Sequence, residues 1–168
     1  IVTANPGVVF YGGVVSQGGA ALKKALVAAG YTGYVVGGDG IAADPSWITT
    51  AGQSAAGNTL GTVAAPDPSS LTSADAVKFK SDYTTFTQGK QDAALLPYSA
   101  AAYAAATIEI EAIKAIIKSG QAPTRAAVRD YIASNSFSTI IGNIKFNANG
   151  DNAGDKVFSI YSVSSDGS

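Results

Sequence analysis

The 168-residue chain contains no histidine, no cysteine and no methionine. The first two absences remove the commonest general base, the thiol nucleophile and nearly every zinc, copper, haem and iron–sulfur ligand set. No disulfide can form, so cysteine usage leaves the compartment open. With no methionine anywhere, Ile1 is expected not to be the first residue translated. Charge is scarce too: 11 Lys plus Arg stand against 12 Asp plus Glu, and charged residues make up 14% of the chain. No basic surface able to neutralise a run of phosphates is on offer, which argues against nucleic acid as a partner. Carboxylate chemistry, an oxygen-ligand cation, or binding without chemistry remain. No cofactor and no resident metal is expected.

What is present has an alternating plan. Val8-Val9-Phe10-Tyr11 is a short apolar run closed by Gly12-Gly13, as in a buried parallel strand. A helix is predicted next, with Ser16 as its N-cap, Leu22, Ala25, Leu26 and Ala29 as its apolar stripe and Gly30 as its left-handed terminator. Tyr34-Val35-Val36 repeats the strand and ends in Gly37-Gly38-Asp39-Gly40, completing a βαβ unit. Asp44-Pro45 reads as N-cap and first position of a short helix carrying Trp47 and Ile48, and residues 59–65 read as a third strand. Pro66-Asp67-Pro68-Ser69-Ser70 then breaks the layer, and a lobe boundary is placed there.

Beyond it the period becomes helical. Ala76, Phe79, Tyr83 and Phe86 form a stripe behind a Ser73 cap and before Gly89. A longer helix is predicted over 97–118, with Tyr103, Ala106, Ile110, Ile113 and Ile117 inward and Thr107, Glu111, Lys114 and Lys118 outward. The Ala-rich stretch 93–108 gives way to Glu109, Glu111 and Lys114, so it reads as a packed helix and not as a membrane span. Pro123 opens a third helix with Val128, Tyr131 and Ile132 facing inward. Residues 139–146 and 157–163 alternate like strands around the turn-rich Asn147-Ala148-Asn149-Gly150-Asp151.

Two strand-to-loop junctions stand out. Gly12-Gly13-Val14 and Gly37-Gly38-Asp39 come after consecutive parallel strands, so both would lie on the carboxyl edge of one sheet, where α/β proteins bind ligands. Glycines let a small molecule reach backbone groups, and Asp39 sets a single anion at the lip, suited to an ammonium group. Asp39 closing a glycine turn through its own backbone is an equal alternative at this point. Neither cluster has the G-x-G-x-x-G or G-x-x-x-x-G-K-[ST] spacing of a nucleotide loop. Residues 147–151 lack the calcium-loop pattern and read as a solvated turn. Tyr83, Phe86 and Tyr103 read as core. Tyr98, in the first turn of its helix after Pro97, can face a cleft or staple the helix, and Trp47 is equally open.

In order along the chain, these pieces resemble the solute-binding proteins of branched-chain amino-acid ABC transporters. Residues 5–13 resemble that family's "NPDVVFYGG" strand, residues 22–30 and 36–40 its helix and "GGDG" junction, residues 97–106 its later helix, and residues 141–151 its "GPISFDENGD" signature. The resemblance runs the length of the chain and covers the C-terminal half of the family's fold. It implies an α/β, type I periplasmic-binding-protein fold: a parallel sheet flanked by helices, in two partial lobes joined by hinge crossovers. Residues 1–66 and 156–168 would belong to the C-terminal lobe and 67–155 to the N-terminal lobe, with crossovers near 65–70 and 149–156. The last strand would return to the sheet built by residues 8–65.

Position by position, the resemblance implies that Asp39 pairs with a ligand ammonium group and that Tyr98 covers the ligand side chain. Gly13, Val14 and Gly38 would line the site, Val14 standing where relatives often carry a tyrosine. The function implied is non-catalytic capture of an amino-acid-like solute between two lobes, in the periplasm or extracellular space, with possible lipid anchoring of a full-length precursor. The partners implied are a membrane permease and either a complementary N-terminal half or a second copy, needed to cover sheet edges and apolar helix faces. A ligand-sensing domain of a receptor or regulator is the alternative on the same fold. A carboxylate hydrolase built on Asp39 lacks an evident second acid.

Overall fold

Strand β1 (Val8–Tyr11) is followed by α1 (Gly19–Ala28) and β2 (Tyr34–Gly37), and the β1–β2 pairing is parallel, Val8 opposite Tyr34 and Tyr11 opposite Gly37. The βαβ unit expected from the sequence is therefore realised. A computed structural model describes residues 1–42, 44, 46–92, 96–154 and 156–164. Three short helices, α2 (Asp39–Ala42), α3 (Ser46–Ala51) and α4 (Gln53–Ala56), lead to β3 (Thr59–Val63), which lies parallel to β2. The last strand, β6 (Ser159–Val163), returns antiparallel to β3, giving the order β1-β2-β3-β6. These elements form one compact unit, Ile1–Ala64 with Phe158–Ser168.

One face of this sheet is the core. Val9, Tyr11, Val35 and Val163 pack with Leu26, Tyr31, Ile41 and Trp47 from the helices and their connections. Trp47 is 2% exposed, so the residue left open by sequence is a core residue. The other face carries Val8, Phe10, Tyr34 and Ile160, all exposed. Asp44 accepts hydrogen bonds from the backbone N–H of Ser46 (2.9 Å) and from its hydroxyl (2.6 Å), starting α3 as expected. Pro45, expected at its first position, lies outside the described residues. Ser16 does not cap α1: residues 15–17 form a 3-10 turn, and left-handed Gly18 (φ 92°) opens the helix instead. The inward stripe of α1 is Ala20, Lys23 and Leu26, while Ala25 and Ala29 are exposed.

The second unit, Ala65–Val157, contains α5 (Ala74–Phe86), α6 (Ser99–Lys118), α7 (Arg125–Ser134) and the hairpin of β4 (Ser136–Thr139) and β5 (Gly142–Lys145). Ser73 caps α5, accepting from the Ala76 N–H, and Thr124 caps α7, accepting from the Ala127 N–H. Phe79 is buried and its ring lies 4.6 Å from that of Tyr103. Phe86 is 86% exposed, because the last turn of α5 finds no apolar neighbour among the described residues to cover it.

Helix α6 presents a different face from the expected one. Ala100, Ala104, Ile108, Ala112 and Ile116 are buried, a strict i, i+4 row, whereas Tyr103, Ile110, Ile113 and Ile117 are exposed. Small side chains on that row let neighbouring backbone approach, and Ile108 meets Phe137 and Ile144 of the hairpin. The segment 139–146 is not one strand. The chain reverses at Ile140-Ile141, where the Thr139 hydroxyl donates to the Gly142 carbonyl (2.7 Å) and accepts from the Ile141 N–H (3.2 Å).

Candidate functional site

Parallel pairing brings the carboxyl ends of β1 and β2 to one edge, since Tyr11 stands opposite Gly37. The loop after each strand takes its course from glycines, where a side chain would be in the way. Gly37 and Gly61 are register partners on the covered face, and a Cβ on Gly37 would lie 2.8 Å from both Ile41 Cδ1 and the Tyr11 carbonyl oxygen. A bare patch therefore seats α2 directly on the sheet, with Ile41 buried beneath it. The turn into α2 is closed by the Gly38 carbonyl, which accepts from the N–H groups of Ile41 (3.2 Å) and Ala42 (3.3 Å).

This seating pushes Gly40 against the loop after β1. A Cβ there would meet Val14 Cγ1 at 2.5 Å and the Gly13 carbonyl oxygen at 2.7 Å. The two glycine-rich peptides thus abut, and Gly13, Val14, Gly38 and Asp39 share one rim. Val14 is 39% exposed, and Asp39, the first residue of α2, is exposed. Gly38 faces open space, with nothing within 4 Å of an added Cβ.

Sequence reasoning did not single out two residues that shape this rim. Tyr11 folds its ring over Gly13 and Gly19, and its hydroxyl lies 3.3 Å from the carbonyl oxygens of both Val14 and Gln17, bracing the loop from behind. Gly40 is the contact itself. The Tyr-Gly-Gly and Gly-Asp-Gly spacings held the signal, but only the close approach shows which glycine carries it.

Tyr98 belongs to the second unit. It is the N-cap residue of α6, its carbonyl accepting from the Ala102 N–H at 2.9 Å, and it is 40% exposed. That unit also has a cavity of about 570 Å³ lined by Arg129, Ile132, Phe146, Asn147 and Gly150, among others. Arg129 is already paired with Asp130 at 2.7 Å. The Asn147 side chain accepts from the N–H groups of Asn149 (2.9 Å) and Asp151 (3.0 Å), so its oxygen is spent on the turn. The rim of the first unit is the better candidate, because two glycine-rich peptides meet there at the carboxyl ends of adjacent parallel strands, the edge where α/β proteins bind ligands, whereas the arginine and asparagine of the cavity are committed to their own neighbours. Among the described residues no group of three or more Asp or Glu could hold a metal ion, and no helix is long and apolar enough to cross a membrane.

Comparison with known proteins gives the rim its context. The profile of a family described as "Periplasmic binding protein" matches residues 1–168. Among solved structures, the leucine binding protein LivK from Thermotoga maritima is 25% identical with a TM-score of 0.74, the alignment covering 98% of this chain and 43% of that one. The branched-chain amino acid transporter substrate binding protein LivJ from Streptococcus pneumoniae, solved in complex with isoleucine, is 17% identical with a TM-score of 0.74, over 95% of this chain and 42% of that one. An extracellular ligand-binding receptor from Rhodopseudomonas palustris HaA2 is 20% identical with a TM-score of 0.70, over 98% and 48%. The chain thus spans less than half the length of these structures. They are binding proteins, not enzymes. No curated protein matches the chain.

Proposed function

The chain belongs to the periplasmic binding protein family, and from that membership we propose that it serves to capture a small amino-acid-like solute outside the cytoplasm for delivery to the membrane permease of an ABC transporter. The observation carrying this reading is the abutment of the Gly13-Val14 and Gly38-Asp39-Gly40 peptides at the carboxyl ends of β1 and β2, with Asp39 exposed beside them. Asp39 is the proposed partner of the solute ammonium, and Gly13, Val14 and Gly38 the proposed backbone and apolar lining. Tyr98 is proposed separately as a cover for an apolar solute side chain. Leucine and isoleucine, named for two of the relatives, set branched-chain amino acids as the first class to try.

Isothermal titration of the 168-residue chain with leucine, isoleucine, valine and 4-methylpentanoate, which lacks the amino group, tests the reading. The amino acids are expected to bind and the deaminated acid not to. A charge-assisted hydrogen bond contributes about 1.5–3 kcal/mol, so Asp39→Asn is expected to weaken amino-acid binding about 10- to 150-fold. Equal binding by the wild type and Asp39→Asn, or tight binding of 4-methylpentanoate, would remove the ammonium assignment.

A further inference from the structure

Helix α1 buries a lysine. Ala20, Lys23 and Leu26 share its inward stripe, and Lys23 is 2% exposed while Lys24 beside it is exposed. Among the described residues the Lys23 ammonium has one hydrogen-bond partner, the Asn58 carbonyl, at 3.5 Å. That carbonyl already accepts from the Val35 N–H at 3.0 Å. The ion pairs among the described residues, Lys78 with Asp82 and Arg129 with Asp130, leave Lys23 out. An ammonium carries three donors, and a buried cation is retained only when it is paired or shifts its protonation. Burial alone lowers the Lys23 pKa from 10.5.

Next to this amine is a cavity of about 180 Å³, lined by Lys23, Tyr31, Thr32, Ser54 and Asn58, by two glycines and by the apolar Val27 and Ala55, and by no Asp or Glu among the described residues. The Tyr31 hydroxyl is committed to the Tyr34 carbonyl (3.0 Å) and the Asn58 amide to the Thr32 carbonyl (3.3 Å). Among the described residues the hydroxyls of Thr32 and Ser54 have no such commitment, and both residues are exposed at the cavity. Asn58 itself is held left-handed, φ 51°, which turns its carbonyl toward both donors at the start of β3. One buried cation and two hydroxyls line a space to which the described residues bring no anion.

We propose that this cavity, at the amino ends of β2 and β3, binds a small oxyanion such as a carboxylate or phosphate, received by the Lys23 ammonium and the Thr32 and Ser54 hydroxyls. The site lies at the strand ends opposite the glycine rim and shares no residue with it, so it stands or falls independently of the solute-binding proposal. Charge-assisted contacts of this kind are short and strong where water is excluded. Bound oxyanion would stabilise the folded state by mass action.

The test is thermal unfolding of the 168-residue chain at fixed ionic strength near neutral pH, with chloride replaced stepwise by phosphate or by acetate, for the wild type and for Lys23→Met. Met keeps the length of the stem and the helix propensity while removing the charge. The wild type is expected to gain stability saturably, by about 5–11 °C once the oxyanion exceeds its dissociation constant about 100-fold. Lys23→Met is expected to show no gain beyond the general salt response. A gain with one of the two anions only supports the site and assigns its class. Should Lys23→Met not fold, the wild-type Lys23 13Cε resonance tracked through the same titrations reads the site directly and is expected to shift and saturate. No saturable gain with either anion, an equal gain in both proteins, or an unmoved Lys23 resonance would overturn the proposal.

Discussion

Gly40→Ala isolates the contact on which the rim depends. An added Cβ would lie 2.5 Å from Val14 Cγ1 and 2.7 Å from the Gly13 carbonyl oxygen. The valine methyl can rotate away, but the carbonyl belongs to the backbone of the β1 loop and must move with it. Overpacking of this kind costs about 1–3 kcal/mol. Alanine returns up to about 1 kcal/mol of helix propensity within α2, leaving a net loss of up to about 3 kcal/mol. For a chain of this size that lowers Tm by up to about 12 °C.

Gly38→Ala is the control, because nothing lies within 4 Å of its added Cβ and its backbone is not left-handed. That change is expected to leave Tm unchanged or raise it slightly, by the roughly 0.4–1 kcal/mol gained from a stiffer unfolded chain. The assay is thermal denaturation monitored by circular dichroism, with calorimetric titration of the branched-chain amino acids on each folded variant. Gly40→Ala should lose stability and solute together, whereas Gly38→Ala should lose solute alone, since its methyl points into the space offered to a ligand. Wild-type stability in Gly40→Ala would refute the abutment, and unchanged affinity in Gly38→Ala would refute the rim as the place of binding.

Three further outcomes concern other elements. Because burial lowers the Lys23 pKa, the unfolded chain holds a proton that the folded chain has released between the folded value and 10.5. Stability relative to Lys23→Met is therefore expected to rise with pH across that window, as urea denaturation of both proteins from neutral to alkaline pH would show; a flat difference would contradict it. On α6, Ile108→Ala is expected to cost about 2–5 kcal/mol and Ile110→Gln to stay within about 0.5 kcal/mol, measured by the same denaturation, and a reversal would restore the face read from sequence. Asn58→Val forces a β-branched residue into a left-handed backbone and is expected to cost about 1–2 kcal/mol, while Asn58→Gly keeps the backbone and is expected to be milder.

The strands and the glycine junctions were legible because their signals are local. A short apolar β-branched run closed by Gly-Gly has few alternatives, and the Ser73 and Asp44 caps are set by residues two or three positions apart. The face of α6 was not legible. Its sequence offers a bulky row, Tyr103, Ile110, Ile113 and Ile117, and a slim row of Ala100, Ala104, Ile108, Ala112 and Ile116. Periodicity weights the bulky one, yet packing chose the row that allows close approach. The hairpin was missed for a related reason: its reversal is made by two isoleucines, and the turn is marked by the bonds of the Thr139 hydroxyl to Gly142 and Ile141 and by left-handed Gly142. At the rim, Asp39 and the glycines could be placed on one edge from strand order, but Gly40 as the touching residue depends on α2 lying flat on Gly37 and Gly61, which no local pattern encodes.

The parallel connection that builds the rim also fixes where Lys23 ends up. In a βαβ unit the strand-to-helix loops gather at one end of the sheet and the helix-to-strand loops at the other. The first set here is Gly13-Val14 and Gly38-Asp39, the second is Thr32-Gly33 and Gly57-Asn58, and α1 runs between them. An inward lysine on the second turn of α1 is thereby carried toward the start of β3, where the Asn58 carbonyl meets it. The acidic group is left at the opposite end, at the start of α2. Asp39 and Lys23 thus cannot neutralise each other, and each meets the demand of its charge locally or with a ligand. A double variant, Asp39→Asn with Lys23→Met, is accordingly expected to lose amino-acid binding and oxyanion stabilisation as the two single variants do, with no coupling beyond about 0.5 kcal/mol. A larger coupling in the four-way comparison would show that the two ends of the sheet act as one site.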